Sequence, residues 1–312
     1  MKKTMFVLGA TGFVGSEVVR VALDSGWAVK ALVRSQESFI KISKWGVTAV
    51  LGDAQDSALW TSELRNADVL IDLLQPEIPV PFRSGAILRV SAQRQTLTSG
   101  ILNSLKNLPQ GERPLYLSIS GTDDLEPDRN GVISSASQIT MSFSGFAHIG
   151  VPVRRLVESS GMPAVYVYLG TVYGPGKTFA ETVVPRLATG KWKVIGQGAN
   201  HMPLVHVEDA ARGLVHLAGL DRTHSLGKTF VLADGSRFTA KELFNDMAKM
   251  MGVKTPGTVP KWLASIVTGK IVVETLTHDL IADPSGLIDT GFTFKYSSYK
   301  QGMPPTLARL GY

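Results

Sequence analysis

The stretch "GATGFVG", residues 9–15, constrains this chain more than any other. Its glycines fall at positions 9, 12 and 15, directly after the apolar run "TMFVL" and directly before the amphipathic run "SEVVRVALDSG". Glycine at this spacing suits a turn so tight that a side chain would collide with neighbouring backbone. It also lets the backbone approach a pyrophosphate, whose charge the first N–H groups of the following helix can hold. Strand, loop and helix in this order predict a dinucleotide-binding βαβ unit.

The rest of the chain extends that unit. "AVKALVR", "TAVLGD", "DVLIDLL", "PLYLSIS" and "AVYVYLG" are near-continuous apolar runs, as expected of strands covered on both faces. Helical patterns such as "RVSAQRQTLTSGILNSLKN" separate them, which predicts an α/β fold with a doubly wound parallel sheet, the Rossmann fold. After Gly170 the pattern changes: "TFAETVVPRLATGK" reads as helical, and "TAKELFNDMAKMMG" opens on a capping box of Thr239 and Glu242. The expected division is a nucleotide-binding domain of residues 1–172 plus 199–235. A smaller, mainly helical substrate-binding lobe would comprise 173–198 plus 236–312.

Composition narrows the function classes. Zero cysteines remove disulfides, thiolate metal sites and cysteine nucleophiles, and no metal-ligand cluster is read. The net charge of +6 suits an anionic cofactor, but the basic residues are scattered, so no nucleic-acid partner is expected. "MKKTMFVLGATGFVG" mimics a signal peptide, yet Glu17 and Arg20 arrive too soon and no small-residue cleavage site follows. No apolar run reaches the roughly 18 residues of a spanning helix, and the expectation is a cytoplasmic protein with no membrane partner.

The second strand ends in "ALVRS". An NAD-selective site carries an acid there for the ribose 2′-hydroxyl; here Val33 stands near that place with Arg34 beside it. An arginine pairs with a 2′-phosphate, so NADP is expected, with NAD as the alternative. Asp53, ending the third strand, is placed either for an adenine amino group or as a turn former.

With "GATGFVG", the segments "GD" (52–53), "SIS" (118–120), "SSGMPAVYVYLGTVYGPG" (159–176), "PLVHVEDAA" (203–211) and "GKTFVLADGSRFTAKEL" (227–243) complete a pattern. The chain resembles the extended short-chain dehydrogenase/reductases, the NAD(P)-dependent epimerase/dehydratase group, along nearly its whole length. The resemblance implies cofactor contacts from Gly9, Thr11, Gly12, Phe13, Val14 and Gly15. It adds Arg34, Asp53, Ala54 and Leu74 after successive strands, Ser118, and Gly170, Thr171 and Val172 after the sixth strand. It also implies a homodimer, although no apolar stripe singles out an interface.

The resemblance further implies a catalytic Ser, matched by Ser120, and a Tyr-x-x-x-Lys pair in which tyrosine moves the proton and lysine binds the nicotinamide ribose. Counting back from Gly161 puts Phe146 at the tyrosine's place and Gly150 at the lysine's, so both catalytic side chains are missing. His148 lies between them, but on a regular helix it points about 200° away from Phe146. Pro152 lacks the N–H that would bond the carbonyl of His148. Literal Tyr-x-x-x-Lys spacings occur at Tyr173/Lys177 and Tyr296/Lys300. Gly-Pro-Gly separates the first pair and denies it a shared helical face, which leaves Tyr173 as a lone candidate acid.

Met202 stands where nucleotide-sugar enzymes of the group carry a phosphate-clamping arginine, and "LLQPEIPVPF" (73–82) predicts a rigid wall at the cofactor cleft. Both features point to a small-molecule substrate that is smaller or more apolar than a sugar nucleotide. The leading expectation is an NADP-dependent oxidoreductase acting on a carbonyl or enone, its proton coming from Ser120, Tyr173, His148 or water. The alternatives are an epimerase or dehydratase of a sugar-like substrate and a non-catalytic NADP(H)-binding sensor or scaffold.

Overall fold

The computed structural model of the protein describes residues 2–141, 145–177 and 179–312. Its main sheet contains β1 (Thr4–Leu8), β2 (Ala28–Val33), β3 (Thr48–Leu51), β4 (Val69–Asp72), β5 (Leu115–Gly121), β6 (Ala164–Leu169) and β7 (Thr229–Leu232). These run parallel in the order β7-β6-β5-β4-β1-β2-β3. Each of the six apolar runs read as strands is one. The order reverses between β1 and β4, and a doubly wound sheet opens its crevice beyond the strand ends at that point.

The helices that matter for the site are α1 (Phe13–Asp24), α2 (Gln36–Ser43), α3 (Ser84–Lys106), α4 (Ala147–Ser160) and α5 (Val207–Gly219). Further on come α6 (Ala240–Met250), α7 (Lys261–Thr268), α8 (Lys270–Leu276) and α9 (Tyr299–Arg309). Side chains of β1 alternate between two apolar layers: Met5 and Val7 pack with α1 and α5, while Phe6 and Leu8 pack with Leu102, Leu105 and Tyr116 on the other face. A third layer joins Tyr173, Val184 and Leu187 to α6 and α9 through Leu243, Met247, Met303 and Leu307.

Local chemistry sets the helix ends. The capping box forms as read: Thr239 Oγ1 accepts from Glu242 N–H at 3.2 Å, and Glu242 Oε2 accepts from Thr239 N–H at 2.7 Å. The segment read as helical from Thr178, which lies outside the described residues, is a π-helical turn at Phe179–Val183 running into α-helix at Val184–Ala188. In α4, Pro152 leaves the carbonyl of His148 without its helical donor, and the Ser91 hydroxyl of α3 donates to it instead at 2.5 Å. That bond ties α4 to α3, and Gly161 ends α4 with φ +69°.

Candidate active site

The glycine loop is built for a ligand that touches backbone. Gly9 has φ +80°, and a Cβ there would lie 2.9 Å from the carbonyl oxygen of Leu73. A Cβ on Gly15 would lie 2.1 Å from the carbonyl oxygen of Gly9, so neither position admits a side chain. Gly12 caps α1 without a side-chain acceptor, which leaves first-turn N–H groups of a 12-residue helix available to an anion. Thr11 is exposed in the loop, Val14 packs onto the sheet core, and the Phe13 ring lies under the Gly-Pro-Gly turn, 3.0 Å from where Gly176 would carry a Cβ. These residues fit the pyrophosphate of a dinucleotide.

Arg34 is exposed just past β2, next to Ser35, whose Oγ accepts from Ser38 N–H at 3.2 Å and caps α2. Asp53 builds a turn: its Oδ1 accepts from Gln55 N–H at 2.9 Å and its carbonyl from the Trp60 indole at 3.0 Å. Ala54 is buried behind that turn.

Across the switch point, the ends of β4, β5 and β6 open on a cleft of about 570 Å³. Leu74, Ser118, Ser120, Gly170 and Thr171 all line it. Gly170 is again obligatory, because a Cβ would lie 2.9 Å from the Pro203 carbonyl oxygen. Val172 points instead into the sheet core. The expected wall is present in Leu74, Gln75, Pro76 and Ile78, and Phe146 and Ile149 of α4 form the facing apolar side. Beneath the cleft, Asp72 is buried and accepts from Arg94 Nη2 at 2.8 Å, from the Tyr116 hydroxyl, and from Leu74 N–H at 3.1 Å. Asp72 thereby fixes both the charge balance of the floor and the start of the wall.

The sharpest polar contact in the cleft joins Ser120 to Asp124. Ser120 Oγ lies 2.5 Å from Asp124 Oδ2, and Asp124 is 2% exposed in the turn just after β5. Burial pushes its carboxyl well above the usual carboxylate range, outweighing the Ser120 hydrogen bond, and neighbouring Asp123 pushes the same way. Burial therefore favours the protonated form of Asp124. Gly150 makes room for it: a Cβ there would lie 1.9 Å from Asp124 Oδ2 and 2.3 Å from Ser120 Oγ.

Two family models match the chain, the NmrA-like family over residues 1–88 and the NAD dependent epimerase/dehydratase family over residues 149–233. The fold of the human epimerase family protein SDR39U1, solved with NADPH, superposes with a TM-score of 0.80 at 18% identity, covering 98% of this chain and 99% of that one. The two matched segments and the shared fold support the reading of the chain as an atypical extended short-chain dehydrogenase/reductase. Among curated relatives, a 3-diazoavenalumate denitrifying reductase of Streptomyces sp is 24% identical over 88% of this chain and 90% of its own length. An isoflavone reductase homolog of Zea mays is 26% identical over 67% of this chain and 62% of its own.

Against the pattern of that family, the departures lie at the proton-handling positions. Phe146 packs on Phe82 with ring centroids 5.4 Å apart and presents hydrocarbon to the cleft where a tyrosine hydroxyl is expected. His148 is exposed on α4, outside the cleft lining; its carbonyl accepts from Ser91 and its N–H donates to the Gly145 carbonyl at 3.2 Å. Tyr173 is also outside the lining: it is 2% exposed, edge-on to His206 and tilted against Phe179, with its hydroxyl buried and without a partner among the described residues. The expectation of Tyr173 as an acid fails on geometry, because a core ring beneath α9 cannot reach a molecule in the cleft. Burial also raises its hydroxyl far above the ordinary tyrosine value, with Asp234 and Asp209 adding to the effect. Tyr296 packs on His206, 4.4 Å between ring centroids, and Lys300 is exposed, so the second literal pair is not in the cleft either.

Asp124 is the functional candidate that sequence reasoning missed. "SGTDDL" carried a signal, two acids just past a candidate catalytic serine, but nothing local says which of Asp123 and Asp124 turns inward.

Proposed function

We propose that the chain is an NADP-dependent oxidoreductase that reduces a carbonyl or conjugated double bond of a small organic molecule, with Ser120 and Asp124 in place of the missing Tyr/Lys pair. The observation that carries this reading is the 2.5 Å contact between Ser120 Oγ and Asp124 Oδ2 at the wall of the cleft. Two of the relatives bear the name of reductases, which supports the reaction class.

When bound, the nicotinamide dinucleotide supplies the hydride. The glycine loop holds the pyrophosphate on backbone N–H groups, and Arg34 pairs with the 2′-phosphate that distinguishes NADP. Phe146, Ile149 and Ile78 exclude water from the reacting face. Ser120 Oγ, which donates to Asp124 Oδ2 at rest, turns its hydroxyl to the substrate oxygen and gives up that proton while Asp124 delivers its carboxyl proton to Ser120 Oγ. A serine hydroxyl alone is too weak an acid for this; Asp124, even with its raised pKa, is a far stronger one. A polarised enone asks less of the acid than a plain ketone, so the cleft suits the former better.

NADPH consumption over a panel of ketones, aldehydes and enones tests the reading. Oxidation of NADPH with one class of acceptor, abolished in Ser120→Ala, is the expected result. Tight NADPH binding with no turnover across the whole panel would sink it and identify a non-catalytic cofactor-binding protein instead.

A further inference from the structure

The helix α7, "KWLASIVT", stands proud of the surface. Ala264 is its one buried side chain, whereas Trp262, Leu263, Ile266 and Val267 are 67, 40, 65 and 64% exposed. At about 100° per residue these four cover an arc of about 140°, opposite Ala264 and Thr268, which face the body of the protein. The ridge does not stand alone. Phe82 N–H donates to the Thr268 carbonyl at 3.0 Å, and Gly269 lies against the Phe82 backbone so closely that a Cβ would meet its carbonyl oxygen at 2.2 Å. That junction brings in Val80, 79% exposed, and Leu88, 70% exposed beside buried Ile87. Surface apolar residues are ordinary singly; four on one face of one helix are not.

The charge around the ridge is basic. Residues 77–89 and 261–274 contain Arg83, Arg89, Lys261 and Lys270 against Glu77 and Glu274, with Lys270 and Glu274 paired at 3.4 Å. A convex apolar ridge with an exposed tryptophan and a basic surround matches the interface of an anionic bilayer, which yields to protruding side chains and attracts the lysines and arginines. A protein partner would have to supply a complementary groove. No helix among the described residues is long and apolar enough to cross a membrane, so the contact is peripheral.

The ridge is linked to the cleft through the chain. The chain passes from α7 into α8, whose Thr275 and Leu276 line the cleft, and Phe82 at the junction packs on the lining residue Phe146. We propose that α7 and residues 80–88 form a docking face that seats the mouth of the cleft on an anionic phospholipid surface, from which a lipophilic substrate enters. The docking stands on the ridge alone; the substrate class rests on the reductase reading.

Co-sedimentation with phosphatidylcholine vesicles, with and without phosphatidylglycerol, tests it. The wild-type chain is expected to sediment with the anionic vesicles, less at high salt, and the double variant Trp262→Ser/Ile266→Ser to bind at least about tenfold more weakly. Lys261→Glu/Lys270→Glu is expected to weaken binding to the anionic vesicles alone. NADPH binding, monitored by fluorescence, shows that each variant is folded. A wild-type chain that stays in the supernatant with both vesicles overturns the proposal, as does a serine variant that sediments equally well. So does a dimer, seen by sedimentation velocity, that the serine variant abolishes while vesicles have no effect, since the face is then an interface between copies. Vesicle binding without NADPH binding would support the docking face and sink the reductase reading; NADPH turnover without vesicle binding would do the reverse.

Discussion

Gly150 and Asp124 compete for one volume: a methyl group on Gly150 would lie 1.9 Å from Asp124 Oδ2. The glycine at the family's lysine position is thus the space into which the acid folds. Gly150→Ala should shift Asp124 or α4 and cost about 1–3 kcal/mol, lowering the melting temperature and any reductase activity together. Gly150→Lys should behave worse still, although it restores the residue the family carries. Thermal melts beside NADPH turnover check both.

Asp124→Asn keeps the shape of the carboxyl group and removes its transferable proton. Turnover should fall by about 10²–10⁴-fold, and the alkaline decline expected of the wild-type rate, as Asp124 loses its proton, should disappear. Stability gives an independent sign. The folded carboxyl titrates well above its unfolded value, so its contribution is complete below the unfolded pKa and lost as pH rises through the folded one. The asparagine variant should therefore match or exceed wild type in urea unfolding at alkaline pH, and the difference should shrink in acid.

Tyr173→Phe removes a buried hydroxyl that has no partner among the described residues. Stability should rise by up to about 1–2 kcal/mol, and kcat should not change. Loss of turnover in this variant would restore the tyrosine as an acid and overturn the assignment to Ser120.

Arg34→Ala should raise the KM for NADPH about tenfold or more while leaving that for NADH nearly unchanged, because only NADPH carries a 2′-phosphate for the guanidinium. Equal losses with both cofactors would place Arg34 in a general structural role.

Asp234 ends up buried after β7, its Oδ1 accepting from Ser236 and its Oδ2 without a partner among the described residues; burial pushes its pKa to about 6. The folded value lies above the unfolded one, so the charged form weighs on the fold above that range. Asp234→Asn should stabilise the chain at pH 8 by an order of 1–3 kcal/mol, with the gain gone below about pH 4. Denaturant midpoints at the two pH values check it.

Most of the sheet was legible because each parallel strand is a short apolar run and each crossover a helical pattern, both properties of neighbouring residues. The glycine loop was legible for the same reason, and so was the missing pair, since Phe146 and Gly150 follow from counting back to Gly161. Tyr173 was misplaced because "TVYGPG" shows a tyrosine before a turn but not the direction of its ring. That direction is decided by His206, Phe179 and Gly302, residues from three other parts of the chain.

By itself, the sequence determined a dinucleotide-binding Rossmann sheet and the absence of the standard proton donor, since both rest on residue identity at local spacing. Only the tertiary structure decided what fills the gap and what the surface offers. Asp124 is buried beside Ser120, its protonated form favoured, because Gly150 of α4, 26 residues further on, brings no side chain against it. The apolar ridge of α7 exists because none of the described residues folds back to cover it. Burial and desolvation are properties of packing between distant segments, and no local pattern carries them.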